Sequence, residues 1–392
     1  MHWIVQELRK TPMLWLLLFV PAVFLTWLLQ PQAHAALFIL SILAIVPLAA
    51  LLSHATESVA EKTGDAVGGL LNASLGNLTE LIIALTALKA GQYLLVKSMI
   101  VGAIVGNSLF MLGACFLVGG MKYHMQEFNR ANARMQATML FLATVALLAP
   151  SAYANADSSP ALSQFIQELS LGLAGLLIVA YGLGLFFSLG SHRELFAAAK
   201  NNSFTSSTAA PHQLTATAPH EVTHAEAHAE AHANTWPMPV ALTMLVVVTV
   251  IVALVSDIFV ESLQAAAETF GMTPAFVGFV VVALVGAAAE IFAAISGARK
   301  NRLDLSVGIA LGSASQIALF VAPVLVLLSY FTGGPPMNLQ FWPGAIVMML
   351  IAALTTWLVS SSGRSAWYLG VMMLMVYVIF AMTLFLLPPQ TA

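Results

Sequence analysis

Charge is what this sequence has least of. Of 392 residues, 14 are Lys or Arg and 17 are Asp or Glu, 8% in all, where ordinary globular chains carry roughly 25%. Hydrophobic residues make up 60%. So few charges cannot cover a water-exposed surface, which excludes soluble enzymes and disordered proteins. A net charge of -3 leaves no basic face for nucleic acid. A single cysteine, Cys115, excludes a disulfide framework and any cysteine-ligated metal centre. The short alternating strands of a membrane barrel are missing too. What the chain does have is long, unbroken apolar runs, so the expected fold is an all-α polytopic membrane protein.

A bilayer-crossing helix needs about 20 mostly apolar residues. Eleven stretches qualify, at about 12–30, 36–57, 66–90, 94–120, 135–153, 165–189, 237–261, 274–298, 303–331, 339–359 and 366–387. Cytoplasmic loops carry the excess of Lys and Arg. With eleven spans and the N-terminus inside, the inner loops hold Arg9, Lys10, Lys62, Lys122, Arg130, Arg134, Arg193, Lys200, Arg299, Lys300, Arg302 and Arg364, and the outer loops only Lys89 and Lys97. That asymmetry supports the count and places the N-terminus and the long 191–236 linker in the cytoplasm. The run from Arg9-Lys10 to Ala33-His34-Ala35 imitates a secretory signal; its apolar part is long for one, so it reads as an uncleaved first helix.

Two segments repeat. Gly76-Asn77-Leu78-Thr79-Glu80 is followed by Gly102-x-x-x-Gly106-Asn107-Ser108, and Gly286-Ala287-Ala288-Ala289-Glu290 by Gly308-x-x-x-Gly312-Ser313-Ala314. A fainter echo sets Glu57-Ser58-Val59 against Glu261-Ser262-Leu263. The turn joining the two helices lies outside in the first copy and inside in the second, so the copies are inverted. Inverted repeats with Gly-interrupted helices characterise many secondary transporters, whose site lies near the midplane. The chain then divides into an N-terminal tail and first helix (1–34), a first five-helix repeat (35–190), the linker (191–236) and a second five-helix repeat (237–392).

Glu80 and Glu290 fall mid-span, where a lone carboxylate costs several kcal/mol and marks function by default. The one basic residue within either span is Lys89, at the outer end of 66–90, so neither acid has a basic partner at mid-span. Two facing acids hold either two protons or one divalent ion. Gly76 and Gly286 loosen the backbone beside them, and Asn77, Asn107, Ser313 and Gln316 add neutral oxygens. With no His, Cys or Met in these motifs, Zn2+ and Cu+ are disfavoured; an all-oxygen site suits Ca2+, then Mn2+ or Na+.

These segments resemble the paired alpha repeats of the calcium/proton exchangers, within the calcium:cation antiporter superfamily. Gly308-Ile-Ala-Leu-Gly312-Ser-Ala-Ser-Gln316-Ile-Ala-Leu-Phe-Val-Ala-Pro323 and Gly76-Asn77-Leu78-Thr79-Glu80-Leu81-Ile82 carry the likeness, which extends over about 57–120 and 261–331. The resemblance implies exchange of cytosolic Ca2+ for protons, with Glu80 and Glu290 binding ion and proton alternately and Asn107 and Ser313 as polar ligands. One place departs: the family's Gly-Asn-Ala-Ala-Glu-His reads here Gly286-Ala287-Ala288-Ala289-Glu290-Ile291, one amide and one imidazole short. That bears on ion selectivity, and leaves Na+/H+ or K+/H+ exchange as the alternative and a cation channel as a more distant one. No nucleophile or metal dyad of an intramembrane hydrolase is present.

Glu57, Asp257 and Glu261 are candidates for the access paths; Asp257 and Glu261, four apart, share a helix face, while Glu57 also suits an interfacial place beside Lys62. Asp304 reads as a helix-end cap. In the linker, His220, His224, His228 and His232 recur every four residues, a spacing that suits Zn2+, Ni2+ or Cu2+ on a helix and equally a solvated connector. Trp3, Trp15, Trp236, Trp342, Trp357 and Trp367 read as interfacial anchors, and Pro323 and Pro343 as kinks. No cofactor is expected beyond the transported ions. The lipid bilayer is the surrounding partner, and a second copy of the chain is an allowed one. The short N-terminal tail suits a prokaryotic inner membrane.

Overall fold

The computed structural model describes residues 12–63, 65–153, 159–188 and 236–387. Helical segments occupy every one of the eleven expected positions. They are α1 (Trp15–Leu29), α2 (His34–Lys62), α3a (Asp65–Leu75) with α3b (Leu78–Lys89), α4 (Tyr93–Tyr123), α5 (Arg130–Tyr153), α6 (Pro160–Phe186), α7 (Met238–Phe270), α8a (Pro274–Gly286) with α8b (Ala288–Arg299), α9 (Leu303–Ser329), α10 (Pro343–Ser360) and α11 (Trp367–Leu386). Eight of these are single helices long and apolar enough to cross a bilayer, and α8a with α8b makes a ninth span, bent by 62°. The protein is an all-α integral membrane protein.

Local chemistry sets the helix ends. The Thr273 hydroxyl accepts the Phe276 N–H ahead of Pro274, and the Ser159 hydroxyl accepts the Leu162 N–H ahead of Pro160; both are N-caps with proline at the first helical position. α7 runs on to Phe270 and stops at Gly271, whose φ of 66° is left-handed. Hydropathy had ended this helix near 261, because Glu261 and Glu268 interrupt the apolar run without breaking the helix. Pro343 is not a kink: it opens α10, where its missing N–H has no intrahelical partner to lose. The bend-prone proline inside a helix is Pro47 of α2. Pro323 follows a π-helical turn at Ile317–Val321 in α9.

α4 and α9 form the centre. α4 is buried along 83% of its apolar stretch and α9 along 67%, against 22% for α6 and for α7, which face lipid. Glycine permits a close crossing at this centre. A Cβ on Gly102 of α4 would sit 2.2 Å from the Phe279 carbonyl oxygen of α8a, and one on Gly278 would sit 2.8 Å from the Leu95 carbonyl oxygen. The two backbones touch where no side chain intervenes.

The repeats are inverted in space. Lys62 at the end of α2 donates to the Trp236 carbonyl at the start of α7, 2.5 Å, so these two ends lie on one side. The turn after α8b belongs to that side, since Asp304 shares a cleft with Ser53 and Glu57 of α2. The turn after α3b lies on the other, where Lys89 and Gln92 share a cavity with Glu261 and Gln264 from the far half of α7. A two-stranded ribbon, β1 (Met125–Glu127) against β2 (Arg364–Ala366), joins loops at the first side.

Candidate functional site

Each repeat breaks one helix just before its glutamate. Asn77 (φ -98°, ψ 28°) ends the first break and Ala287 (φ -82°, ψ 6°) the second. The first break takes two residues, Gly76 and Asn77, and the second one, Ala287, and the helix resumes at once after each: Leu81 N–H bonds to the Asn77 carbonyl at 3.0 Å, Ile291 N–H to the Ala287 carbonyl at 2.9 Å. Glu80 and Glu290 therefore stand in the first turns of α3b and α8b, not in mid-helix as hydropathy alone implied. A helix N-terminus carries partial positive charge and free N–H groups, which favour an anion. The break thus makes a buried carboxyl tolerable without a basic partner.

The two breaks meet. Gly286 lies directly against Glu80, and a Cβ there would be 2.9 Å from Glu80 Cγ. Glu80 is 2% exposed. One carboxyl oxygen of each acid, Glu80 Oε1 and Glu290 Oε2, is buried and has no hydrogen-bond partner. Such oxygens are unsatisfied unless a proton or a cation reaches them.

A chain of neutral polar groups runs beside the acids. Asn107 Nδ2 donates to Ser313 Oγ, 2.8 Å. Ser313 Oγ donates to Asn77 Oδ1, 3.0 Å, and Asn77 Nδ2 donates to Gln316 Oε1, 2.7 Å. These bonds tie α4 to α9 and α9 to the first break across more than 200 residues of sequence. Asn107 sits in a π-helical turn, Gly106–Met111, where the widened ladder re-aims side chains. Gly76 stands near the end of the chain, a Cβ there being 3.8 Å from Gln316 Oε1. The structure brings Gly76, Asn77, Glu80, Asn107, Gly286, Glu290, Ser313 and Gln316 together here. Among the described residues no three His, Cys, Asp or Glu converge, so a cation at the two acids would draw its other oxygens from amides, hydroxyls and backbone.

Access to the acids is one-sided. A cleft of about 340 Å3 reaches Glu290 and Ser313 from the side that holds Glu57 and Asp304. Three acids and no Lys or Arg line it. Glu80 borders a void of about 10 Å3 walled by Met99, Ile100, Ile317, Val321 and Leu325. Beyond that apolar plug, a separate cavity of about 390 Å3 on the opposite side holds Asp257, Glu261 and Lys89. The sequence echo between Glu57 and Glu261 therefore corresponds to two vestibules on opposite sides. Asp304 has a double place: its Oδ1 accepts the Asn129 N–H at the start of α5, and it lines the cleft.

Sequence reasoning passed over Asn72 and Ser53, which also line the cleft. The signal for Asn72 was there, one helical turn before Gly76 on the same face. Ser53 had a similar cue, being four residues before Glu57. Trp236, expected at the lipid interface, is instead 6% exposed and stacked on His54, ring centroids 4.5 Å apart. The linker histidines His220, His224, His228 and His232 lie outside the described residues.

Comparison with known proteins covers nearly the whole chain. The family described as "Sodium/calcium exchanger protein" matches residues 33–190 and 240–386. A Ca(2+)/H(+) antiporter of Aphanothece halophytica is 37% identical over 97% of this chain and 98% of its own. A Ca(2+)/H(+) antiporter of Synechocystis sp. is 38% identical over 95% of this chain and 96% of its own. Among solved structures, native YfkE superposes with a TM-score of 0.74 at 33% identity, covering 94% of this chain and 97% of that one.

Proposed function

The chain belongs to the sodium/calcium exchanger protein family, and on that premise we propose that it is a secondary antiporter exchanging Ca2+ for protons. The observation that carries this reading is the pair of unpartnered carboxyl oxygens, Glu80 Oε1 and Glu290 Oε2, buried at the meeting point of two inverted helix breaks. Among the described residues they have no hydrogen-bond partner of any kind, basic or neutral. A desolvated carboxyl favours its proton, and a divalent cation among the same oxygens favours its loss. Proton and Ca2+ then compete for one pair of groups, and that competition couples their fluxes.

The roles follow the geometry. Glu290 faces the open cleft and receives the cation first, with Ser313 and Gln316 beside it. Glu80 completes the site from the sealed side. Asn77 and Asn107 hold Ser313 and Gln316 in place and offer oxygens of their own. Glu57 lines the approach on the cleft side; Asp257 and Glu261 line it on the other. Rocking one repeat against the other would close the cleft and open the plug around Met99 and Leu325. If both glutamates exchange, two protons move per Ca2+ without net charge, and each pH unit supplies about 2.7 kcal/mol.

The cleft side carries Lys62, Lys122, Arg299 and Arg364 at or near its loops, the far side Lys89 and Lys97. By the charge asymmetry of cytoplasmic loops the cleft opens to the cytoplasm, as do the N-terminus and the linker. The proposed setting is a prokaryotic inner membrane, with Ca2+ leaving the cell as protons enter.

The test is proton release in sealed proteoliposomes on adding Ca2+, Na+, K+ or Mn2+ in turn. Release with Ca2+, lost in Glu290→Gln and in Glu80→Gln, is expected. Release with Na+ or K+ alone would keep the site and overturn the ion; a current without proton coupling would indicate a channel.

A further inference from the structure

Trp236 has a place in the fold that the transport reading does not use. Its indole lies on the His54 ring, 4.5 Å between centroids and 18° from parallel. Its main chain is held as well. The N–H donates to Ser58 Oγ at 3.3 Å, and the carbonyl accepts Lys62 Nζ at 2.5 Å. Ser58 Oγ is in turn 3.2 Å from His54 Nδ1. The chain just ahead of α7 is thereby fastened along two turns of α2.

What this clamp supports is one wall of the cleft. Trp236 sits in a small apolar cluster with Ala55 and Val59 of α2 and Ala241 of α7, apart from the main core, with Leu71 of α3a packed against it. The same stretch of α2 presents Ser53 and Glu57 to the cleft, and the same turn of α3a presents Asn72. Trp236 lies behind both. Buried at 6% exposure, it belongs to the cluster that joins two elements whose other faces line the cleft at Glu290.

We propose that Trp236 is a positioning residue for cation access: it sets the cleft wall made by α2 and α3a and so tunes how Ca2+ reaches Glu290. The role of the cleft as a Ca2+ path rests on the exchanger reading; the placement of the wall does not. The contact is made by the indole face, so Trp236→Phe retains it and Trp236→Ala removes it, while the main-chain bonds survive in both.

Two measurements on the full chain test this. In proteoliposomes, Trp236→Ala raises the KM for Ca2+ about fivefold, which converts to about 1 kcal/mol, with turnover at saturating Ca2+ kept and with Trp236→Phe like the parent. Independently of transport, a Ser53→Cys probe reports the wall directly. The native Cys115 is fully buried and silent. A membrane-impermeant thiol reagent then labels Ser53→Cys at a rate that Trp236→Ala changes severalfold and Trp236→Phe does not. An altered labelling rate in vesicles without Ca2+-driven proton release would sustain the clamp and sink the exchanger reading. An unaltered labelling rate, or KM and turnover falling together with thermal stability in Trp236→Ala, would overturn the clamp.

Discussion

Gly286→Ala is the smallest change that tests whether the two helix breaks act as one site. Gly286 has ordinary helical backbone, so alanine brings no dihedral strain, and only space decides the outcome. The new methyl would lie 2.9 Å from Glu80 Cγ and 3.8 Å from Glu80 Cα. Carbon atoms prefer about 3.5–4.0 Å, so the Glu80 stem must withdraw by about 0.5–1 Å. It cannot do so freely, because Glu80 is buried between α3b and α8a. Overpacking of this size costs about 1–3 kcal/mol, which corresponds to about fivefold to 150-fold in an equilibrium. The strain falls on the arrangement in which Glu80 and Glu290 share a cation. The KM for Ca2+, read from proton release in proteoliposomes, should therefore rise about tenfold or more in protein that still elutes as a folded species. The control is Gly175→Ala on lipid-facing α6, where a Cβ meets nothing within 4 Å; its KM should stay at the parent value. If Gly286→Ala also left KM and turnover unchanged, the contact between the breaks would have no part in binding and the paired-site argument would fail.

Three further outcomes follow from the same geometry. Lowering the pH on the cleft side should raise the apparent KM for Ca2+, because a protonated carboxyl no longer accepts the cation; a KM independent of pH would rule out competition at the glutamates. Asn77→Leu removes two hydrogen bonds, to Ser313 and to Gln316, and Gln316→Leu removes one of them. At about 1 kcal/mol each, the loss of Ca2+ affinity should be larger for Asn77→Leu, and equal losses measured by titration would contradict the network. Gly102→Ala would drive a methyl to within 2.2 Å of the Phe279 carbonyl oxygen, so its thermal unfolding should drop well below that of Gly175→Ala.

Much of the architecture was legible because the bilayer imposes a simple rule. Each crossing needs an apolar run, so the places and order of the helices could be read from hydropathy, and the basic loops gave them an expected orientation. Glu80 and Glu290 stood out for the same reason: a carboxyl within an apolar run has no solvent to turn to. Motif spacing also grouped Asn77, Asn107, Ser313 and Gln316 before any contact was known. Other features escaped. Pro343 looks like a kink in sequence, yet it opens a helix, since only the location of the helix end tells the two apart. Trp236 looks like an interfacial aromatic, yet it is buried on His54, a residue 182 positions away. Asn72 and Ser53 stand four residues from Gly76 and Glu57, which marks a shared helix face, but spacing alone does not say that this face lines a cleft.

The sequence by itself determined the membrane as solvent, the helical class, the inverted pairing of the repeats and the acids at their centre, because these follow from local composition and period. Only the tertiary structure decided that Glu80 lies behind an apolar plug while Glu290 meets an open cleft, and that Gly286 packs on Glu80. The two repeats carry the same motif, and their acids have equal standing in sequence. Which of them borders the open cleft is set by packing between helices hundreds of residues apart.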